Sequence, residues 1–343
     1  MNPVLAVDLG GTKALFGVFD PGAPAAPLVE RRFACADFDG FEPMLARFFA
    51  ELAGVPGGVA RPTRACIAMA GPVEGRRARL TNLPWALDAA AIERAFGLAY
   101  VTLVNDFFAA ATGIEALGPG ALRELQRGIP DGGSVHGQAR VVIGAGTGLG
   151  VAIALAAGGR WHVVAGEGGH VGFAPRAEAD VALWRHFARR HGRVSNEHVA
   201  SGAGLVEIYR FLRGPERTDD GDALLLEADP AAAIAARALA PGDDSLAARA
   251  LDRFASVFGA AAGDVALLSL PRGGVYVAGG IAPKVLDARR ASAFVDAFVD
   301  KGPHSALMRT IPVRLVTEPS VGLLGAALIA ARAGGSPPPA AAA

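Results

Sequence analysis

The chain has 343 residues, 52% of them hydrophobic, and its 33 basic and 33 acidic residues give a formal charge of zero. That length allows about two domains with sizeable cores, and the lack of any basic block argues against a nucleic-acid partner. No apolar run reaches the roughly 18 residues of a membrane helix, the N-terminus has no charged segment with an apolar signal core, and Cys35 and Cys66 offer neither a disulfide framework nor a metal cluster; a soluble, cytoplasmic protein with buried free thiols is expected.

Residues 3–8 (PVLAVD) read as a strand and 13–20 (KALFGVFD) as a second, with Leu9-Gly10-Gly11-Thr12 between them. A Walker loop or a dinucleotide fingerprint runs strand, glycine loop, helix. Here a β-rich run follows the glycines, so the unit is strand, turn, strand. It is either an ordinary hairpin with Gly for its turn geometry or a nest of backbone N–H groups for an anion. In the second case Thr12 adds a hydroxyl and Lys13 a charge. Asp8, at the strand end, could then hold Mg²⁺ through water, since that ion keeps much of its hydration shell. Residues 28–34 read as a third strand, 41–52 as an amphipathic helix, and 64–69 as a strand ending in Ala70-Gly71-Pro72-Val73. Residues 80–85 (LTNLPW) read as a short strand and turn, and 86–96 as a helix. Residues 100–104 are a β-branched, buried strand, and 107–117 have helical composition. Asn105 and Asp106 sit at the switch. Ligands of open α/β sheets bind at the carboxyl ends of strands, where an acid can accept a substrate proton. Asn and Asp are also favoured helix N-caps, and the residues alone fit either role.

Residues 117–138 read as an irregular crossing to a second domain. A strand over 140–143, the turn GAGTGLG (144–150) and a strand over 151–156 repeat the first unit. Leu149 stands where a dinucleotide fingerprint has its third Gly. Two such turns, each with a Thr, suggest a duplicated architecture that grips phosphates from both sides. Residues 161–165 lead into GEGGHVGF (166–173), where Glu167 and His170 are the only polar side chains among Gly and apolar neighbours. Glycines let a backbone approach a ligand, and zinc would need more ligands than this pair. A helix over 179–191 is followed by VSNEHVA (194–200), SGAG (201–204) and a helix over 205–212. Glu197 is either a first-turn acid favoured by the helix dipole or a ligand group, and His198 reads as structural. Residues 214–229 read as a loop. Helices follow over 230–239 and 245–270, the second interrupted by Gly259 and Gly263. The strand 274–278 ends in Gly279-Gly280, a turn suited to the flat face and ribose of a nucleotide. A strand over 311–316 precedes a helix over 320–332, with Gly322 and Gly325 on one face for close packing. The tail 334–343 (GGSPPPAAAA) is low in complexity and expected to be disordered.

DLGGTK (8–13), AGPV (70–73), LTNLPW (80–85), VNDF (104–107), GAGTGLG (144–150), GEGGHVGFAP (166–175), VSNEHVASGAGL (194–205), VAGGI (277–281) and GLLGAA (322–327) are weak singly and specific in this order. Over residues 4–332 the chain resembles the bacterial glucokinases of the hexokinase-like, ribonuclease-H-like ATPase superfamily. It is closest to the branch without the cysteine-rich zinc site of the related ROK sugar kinases. Lys13 stands where that branch more usually carries Asn. The resemblance implies an α/β, two-domain ribonuclease-H-like (actin/hexokinase-type) ATPase fold with a central cleft. Residues 1–116 and 320–333 would form the small domain and 117–319 the large one. It further implies ATP-dependent phosphorylation of glucose to glucose 6-phosphate, a glycolytic step, with ATP and Mg²⁺ as cofactors, and a homodimer. Asp106 would be the general base on the sugar 6-hydroxyl. Asn105, Glu167, His170 and Glu197 would bind the other hydroxyls, which suits carboxylates, Asn and His. Asp8, Gly10, Gly11, Thr12, Lys13, Gly146 and Thr147 would surround the phosphates and Mg²⁺, with Gly279 and Gly280 near the nucleoside. The alternatives are a kinase for mannose, fructose or an N-acetylated amino sugar, a catalytically silent sugar-binding regulator, or a donor other than ATP such as polyphosphate. An actin-like or chaperone-like ATPase is disfavoured by GEGGH and SNEH.

Overall fold

The computed structural model describes residues 2–129, 138–214, 222–240 and 245–333; the tail expected to be disordered lies outside them. Packing divides the chain into two units, one running to Ala121 and resuming at Glu318, the other Leu122–Thr317.

The first unit contains β1 (Val4–Leu9), β2 (Lys13–Phe19), β3 (Pro27–Ala34), α1 (Phe41–Ala53), β4 (Arg64–Met69), β5 (Val73–Glu74), β6 (Arg77–Arg79), β7 (Ala86–Asp88), α2 (Ala89–Phe96), β8 (Tyr100–Asn105) and α3 (Asp106–Gly113). Its main sheet has the order β3-β2-β1-β4-β8. β1 and β2 form an antiparallel hairpin, while β1, β4 and β8 run parallel. Leu9 pairs with Met69 and Met69 with Asn105, so the carboxyl ends of these three strands lie side by side. The apolar run of β1 is explained by burial on both faces. Leu5, Val7 and Leu9 join the core that holds Phe41, Met44, Leu45, Phe48 and Leu52 of α1, spaced along one helical stripe. Val4 and Ala6 face the opposite core.

Residues 80–85 are not a strand. They form the loop between β6 and β7, whose strands lie on either side of the expected one. The helix expected over 86–96 loses its first three residues to β7, because Leu87 and Ala86 pair with Ala78 and Arg79. Asp88 then caps α2, accepting the Ala91 N–H at 3.1 Å.

The second unit contains β9 (Leu122–Gln126), β10 (Ala139–Ala145), β11 (Leu149–Ala157), β12 (Arg160–Gly166), α4 (Glu178–His191), α5 (Asn196–Val199), α6 (Gly202–Arg213), α7 (Pro230–Ala238), α8 (Leu246–Ser269), β13 (Val275–Ala278), α9 (Ala282–Val285), α10 (Ala288–Val299), α11 (Ser305–Met308) and β14 (Val313–Val316). The sheet order is β12-β11-β10-β13-β14-β9. β10 pairs antiparallel with β11 and parallel with β13, which repeats the plan of β2, β1 and β4. The expected irregular crossing contains β9, an edge strand antiparallel to β14. Its sequence, LRELQ, lacks the β-branched residues that mark a strand. Gly259 and Gly263 do not interrupt α8. They let α10 approach, since a Cβ on Gly259 would lie 2.7 Å from the Phe294 carbonyl carbon and one on Gly263 2.5 Å from the Phe298 oxygen.

The chain then returns to the first unit as α12 (Val321–Arg332), which covers the sheet face bearing Val4, Ala6 and Ala68 with Leu323, Ala326, Ala327 and Ala330. Both cysteines are free and buried, as expected, and Cys35 opens a 3-10 turn after β3. No described helix is long and apolar enough to cross a membrane.

Candidate active site

In the first unit, the β1–β2 hairpin closes with the Gly10 N–H on the Lys13 carbonyl at 3.0 Å, and the Cys35 N–H braces the Thr12 carbonyl at 2.9 Å. Asp8 is part-buried where β1 ends. Burial pushes its carboxyl up to about 6, against the opposing pull of the Lys13 charge. The Asp8 side chain lies close under α12, and a Cβ on Gly322 would stand 2.9 Å from its Oδ2. Asn105 ends β8 and caps α3: its Oδ1 accepts the Phe107 and Phe108 N–H groups at 2.9 and 3.3 Å. Its Nδ2 donates to the Gly71 carbonyl at 3.5 Å. Asp106 is therefore the first helical residue and not the cap, with its Oδ1 accepting the Phe107 N–H at 2.9 Å. A negative charge is favoured at this end of a helix.

In the second unit, the turn 146–148 joins β10 to β11 and is closed by the Gly146 N–H on the Gly148 carbonyl at 2.8 Å. The Gly202 N–H, at the amino end of α6, donates to the Gly146 carbonyl at 2.9 Å. Ser201 caps that helix through the Gly204 N–H at 3.2 Å. Gly279 has φ +85°, and a Cβ there would lie 2.5 Å from the Ala145 carbonyl oxygen, so only glycine fits between β13 and β10. Gly146 and Gly280 both face open space. Two glycine segments and a helix amino end thus converge, which suits phosphate.

Glu167, His170 and Glu197 also come together. His170 Nε2 lies 3.9 Å from Glu167 Oε2 and 3.7 Å from Glu197 Oε1. Glu167 leads into the 3-10 turn Gly168–His170 after β12. The Asn196 N–H donates to the Val171 carbonyl at 2.8 Å and ties this segment to α5. Glu197 reaches across to accept the Leu149 N–H at 2.9 Å. Its Oε1 points to His170, so one carboxylate links the glycine turn to the carboxylate–imidazole cluster. Thr147 and Glu197 line one pocket of about 360 Å³ with His191, His198, Ser201 and Arg210. His198 has a structural role. Its Nδ1 accepts the Ser195 N–H at 3.2 Å, and its ring stacks on His191 at 4.1 Å. Burial and then the His191 charge hold its pKa below the usual histidine value.

A family model for glucokinase matches residues 5–333. The chain belongs to the glucokinase family. It is 40% identical to a glucokinase of Synechocystis over 96% of this chain and 98% of that one. It superposes on the glucokinase of an Antarctic psychrotroph with TM-score 0.79 at 28% identity, covering 97% of this chain and 99% of that one. A ROK-family glucokinase of Streptomyces griseus, solved with glucose and AMPPNP, gives TM-score 0.64 at 26% identity over 96% and 100% of the two chains. The actin/hexokinase-like ATPase fold expected of the family is therefore the fold of this chain.

Of the residues singled out in the sequence, Asp8, Gly10, Gly11, Thr12, Lys13, Asn105 and Asp106 lie in the first unit. Gly146, Thr147, Glu167, His170, Glu197, Gly279 and Gly280 lie in the second. The residues alone gave no role to Ser201 and Gly202 at the glycine turn, although Ser before a helical run is a cap signal. Asn82, in the loop between β6 and β7, lies against Gly11. Among the described residues no three His, Cys, Asp or Glu side chains converge on a metal position. Asp8, a lone carboxylate beside a turn of backbone N–H groups, suits a hydrated Mg²⁺ carried on phosphates, because that ion needs only one or two protein carboxylates.

Proposed function

We propose that this chain transfers the γ-phosphoryl group of ATP to the 6-hydroxyl of glucose. Asp106 accepts the hydroxyl proton as the O6–phosphorus bond forms and the bond to the ADP oxygen breaks. The supporting observation is the division of labour at the start of α3. Asn105 fills the cap, which leaves a carboxylate on the first helical residue, at the carboxyl end of a parallel strand. Glu167, His170, Glu197 and Asn105 are assigned as donors and acceptors for the remaining hydroxyls. The turn Gly10-Gly11-Thr12, with Lys13, and the turn Gly146-Thr147 hold the phosphates, while Gly279 and Gly280 flank the nucleoside. Mg²⁺ held at Asp8 would neutralise phosphate charge, and positioning with charge neutralisation is most of what phosphoryl transfer requires. Such a transfer also requires that water, which competes with the sugar as nucleophile, be kept from the phosphoryl group. A cytoplasmic homodimer is part of the same proposal.

The test is ADP release from Mg-ATP across a panel of free hexoses with a no-sugar control. Strong stimulation by glucose alone supports the proposal. Stimulation by another hexose moves the substrate and keeps Asp106. Sugar-independent ADP release, or sugar binding without turnover, overturns it.

A further inference from the structure

The loop 80–85 has no part in the function above, yet it is firmly braced. The Leu80 N–H donates to the Trp85 carbonyl at 3.1 Å and the Thr81 N–H to the Ala70 carbonyl at 3.1 Å. The Trp85 ring is buried in the core under the sheet. Ala70 directly follows β4, so the brace holds the loop at the carboxyl end of that strand. β4 runs between β1 and β8. The loop therefore sits at the gap between the glycine turn after β1 and Asp106 after β8. Two strand spacings make that gap roughly 10 Å, room for a phosphoryl group and the hydroxyl it meets.

Asn82 is at the tip of this loop, leaning towards the glycine turn. A Cβ on Gly11 would lie 3.0 Å from the Asn82 Cβ and 3.6 Å from its Nδ2. The residue is exposed, and its carboxamide has no hydrogen-bond partner among the described residues. Neither packing nor a turn bond accounts for a carboxamide held there by a braced loop.

We infer that Asn82 is a further catalytic residue, whose Nδ2–H donates to the phosphoryl group as it passes from ATP to the sugar oxygen. The inference rests on the kinase reading above. Charge in this transition state spreads over the three equatorial phosphoryl oxygens. A donor beside those oxygens acts where charge develops.

The experiment compares wild type, N82A and N82D by steady-state kinetics and thermal melting. N82A is expected to lose about 10²-fold in kcat, the usual effect of removing one such donor. The KM values for glucose and ATP should stay within about threefold, which marks an interaction made in the transition state. N82D, of the same shape, is expected to lose more, since a carboxylate accepts but does not donate and repels the phosphoryl group. Both should melt with wild type. A kcat within about twofold of wild type for N82A, a loss confined to KM, or equal losses in both variants with a lowered melting temperature overturns the inference. Wild type that makes no glucose 6-phosphate overturns the kinase reading and this inference with it. An active wild type beside an equally active N82A overturns this inference alone.

Discussion

The helix that returns from the end of the chain sets the position of the proposed base, and Gly325→Ala tests it. α12 meets α3 nearly backbone to backbone. A Cβ on Gly325 would lie 2.6 Å from the Ala109 carbonyl carbon and 2.8 Å from the Gly113 nitrogen, and one on Gly113 would lie 3.0 Å from the Gly325 nitrogen. Carbon atoms in contact normally stand about 3.5–4.0 Å apart, so the helices must part by roughly 1 Å to admit one methyl group. α12 cannot retreat freely, because its opposite side is packed on Val4, Ala6 and Ala68 of the sheet. Overpacking of this kind costs about 1–3 kcal/mol, and the absence of any side chain able to yield puts this site at the upper end. At roughly 2–4 °C per kcal/mol for chains of 150–250 residues, the melting temperature should fall by about 5–12 °C. Because α3 begins with Asp106, a displacement of this size should also lower kcat, by up to about 10². Differential scanning calorimetry without ligands and steady-state kinetics measure the two effects. Gly118→Ala, where an added Cβ meets nothing within 4 Å, is the control. A Gly325→Ala protein that melts within about 1 °C of wild type would show that the two helices do not constrain each other.

Asp106→Asn should lower kcat by at least the roughly 10²–10⁴ expected for a general base while sugar binding, read by calorimetric titration, is largely kept; near-normal turnover would remove Asp106 from the mechanism. Glu167→Gln should raise the apparent KM for glucose about tenfold, as for a lost hydrogen bond to a charged group, with no change in melting temperature, since this carboxylate is largely exposed. An unchanged KM would count against a role in the sugar site. Asp8→Asn tests burial against function. Burial raises the Asp8 pKa to about 6, so the folded state binds its proton more tightly than the unfolded chain does, and ionisation above pH 6 costs stability. In metal-free buffer the variant should melt above wild type at pH 8, with the gap closing as pH falls through about 6 while phosphoryl transfer is lost throughout. A gap that widens on acidification would refute that sign. His198 works in the other direction: its lowered pKa means the unfolded chain takes up the proton first, so its contribution to stability is present at neutral pH and lost on acidification. His198→Gln should therefore flatten the acid limb of a Tm-against-pH curve.

Elements whose own residues carry a strong period were legible in the sequence. β1 and β4 are short apolar runs and β8 a β-branched one, and α1 has its apolar stripe at helical spacing; in each, local preference and burial agree. The failures lie where a long-range partner decides. Ala86 and Leu87 look helical beside the alanines that follow, but β6 offers them a ladder and Asp88 offers the helix a later start. LRELQ has no strand signal of its own and becomes a strand only because β14 presents an open edge. Gly259 and Gly263 read as breaks in α8 because a sequence shows what a glycine lacks, not the α10 backbone that occupies the space.

The same distinction governs the site. Both glycine turns were legible as strand–turn–strand units because the β-rich runs on each side are local. That Glu197 reaches Leu149 and faces His170 was not, since three separate segments must meet. Asp106 shows how an ambiguity in sequence resolves. Asn105 and Asp106 compete for the cap on equal chemical terms, and only the register of β8 decides between them. Asn105 pairs with Met69 as the last residue of the strand, which leaves its backbone extended, as a cap requires, and starts the helix at Asp106. One residue of slip would exchange the two positions and make the carboxylate the cap. The placement of the proposed base thus depends on the pairing of β8 with β4, and on the glycine faces of α3 and α12 that hold the helix behind it.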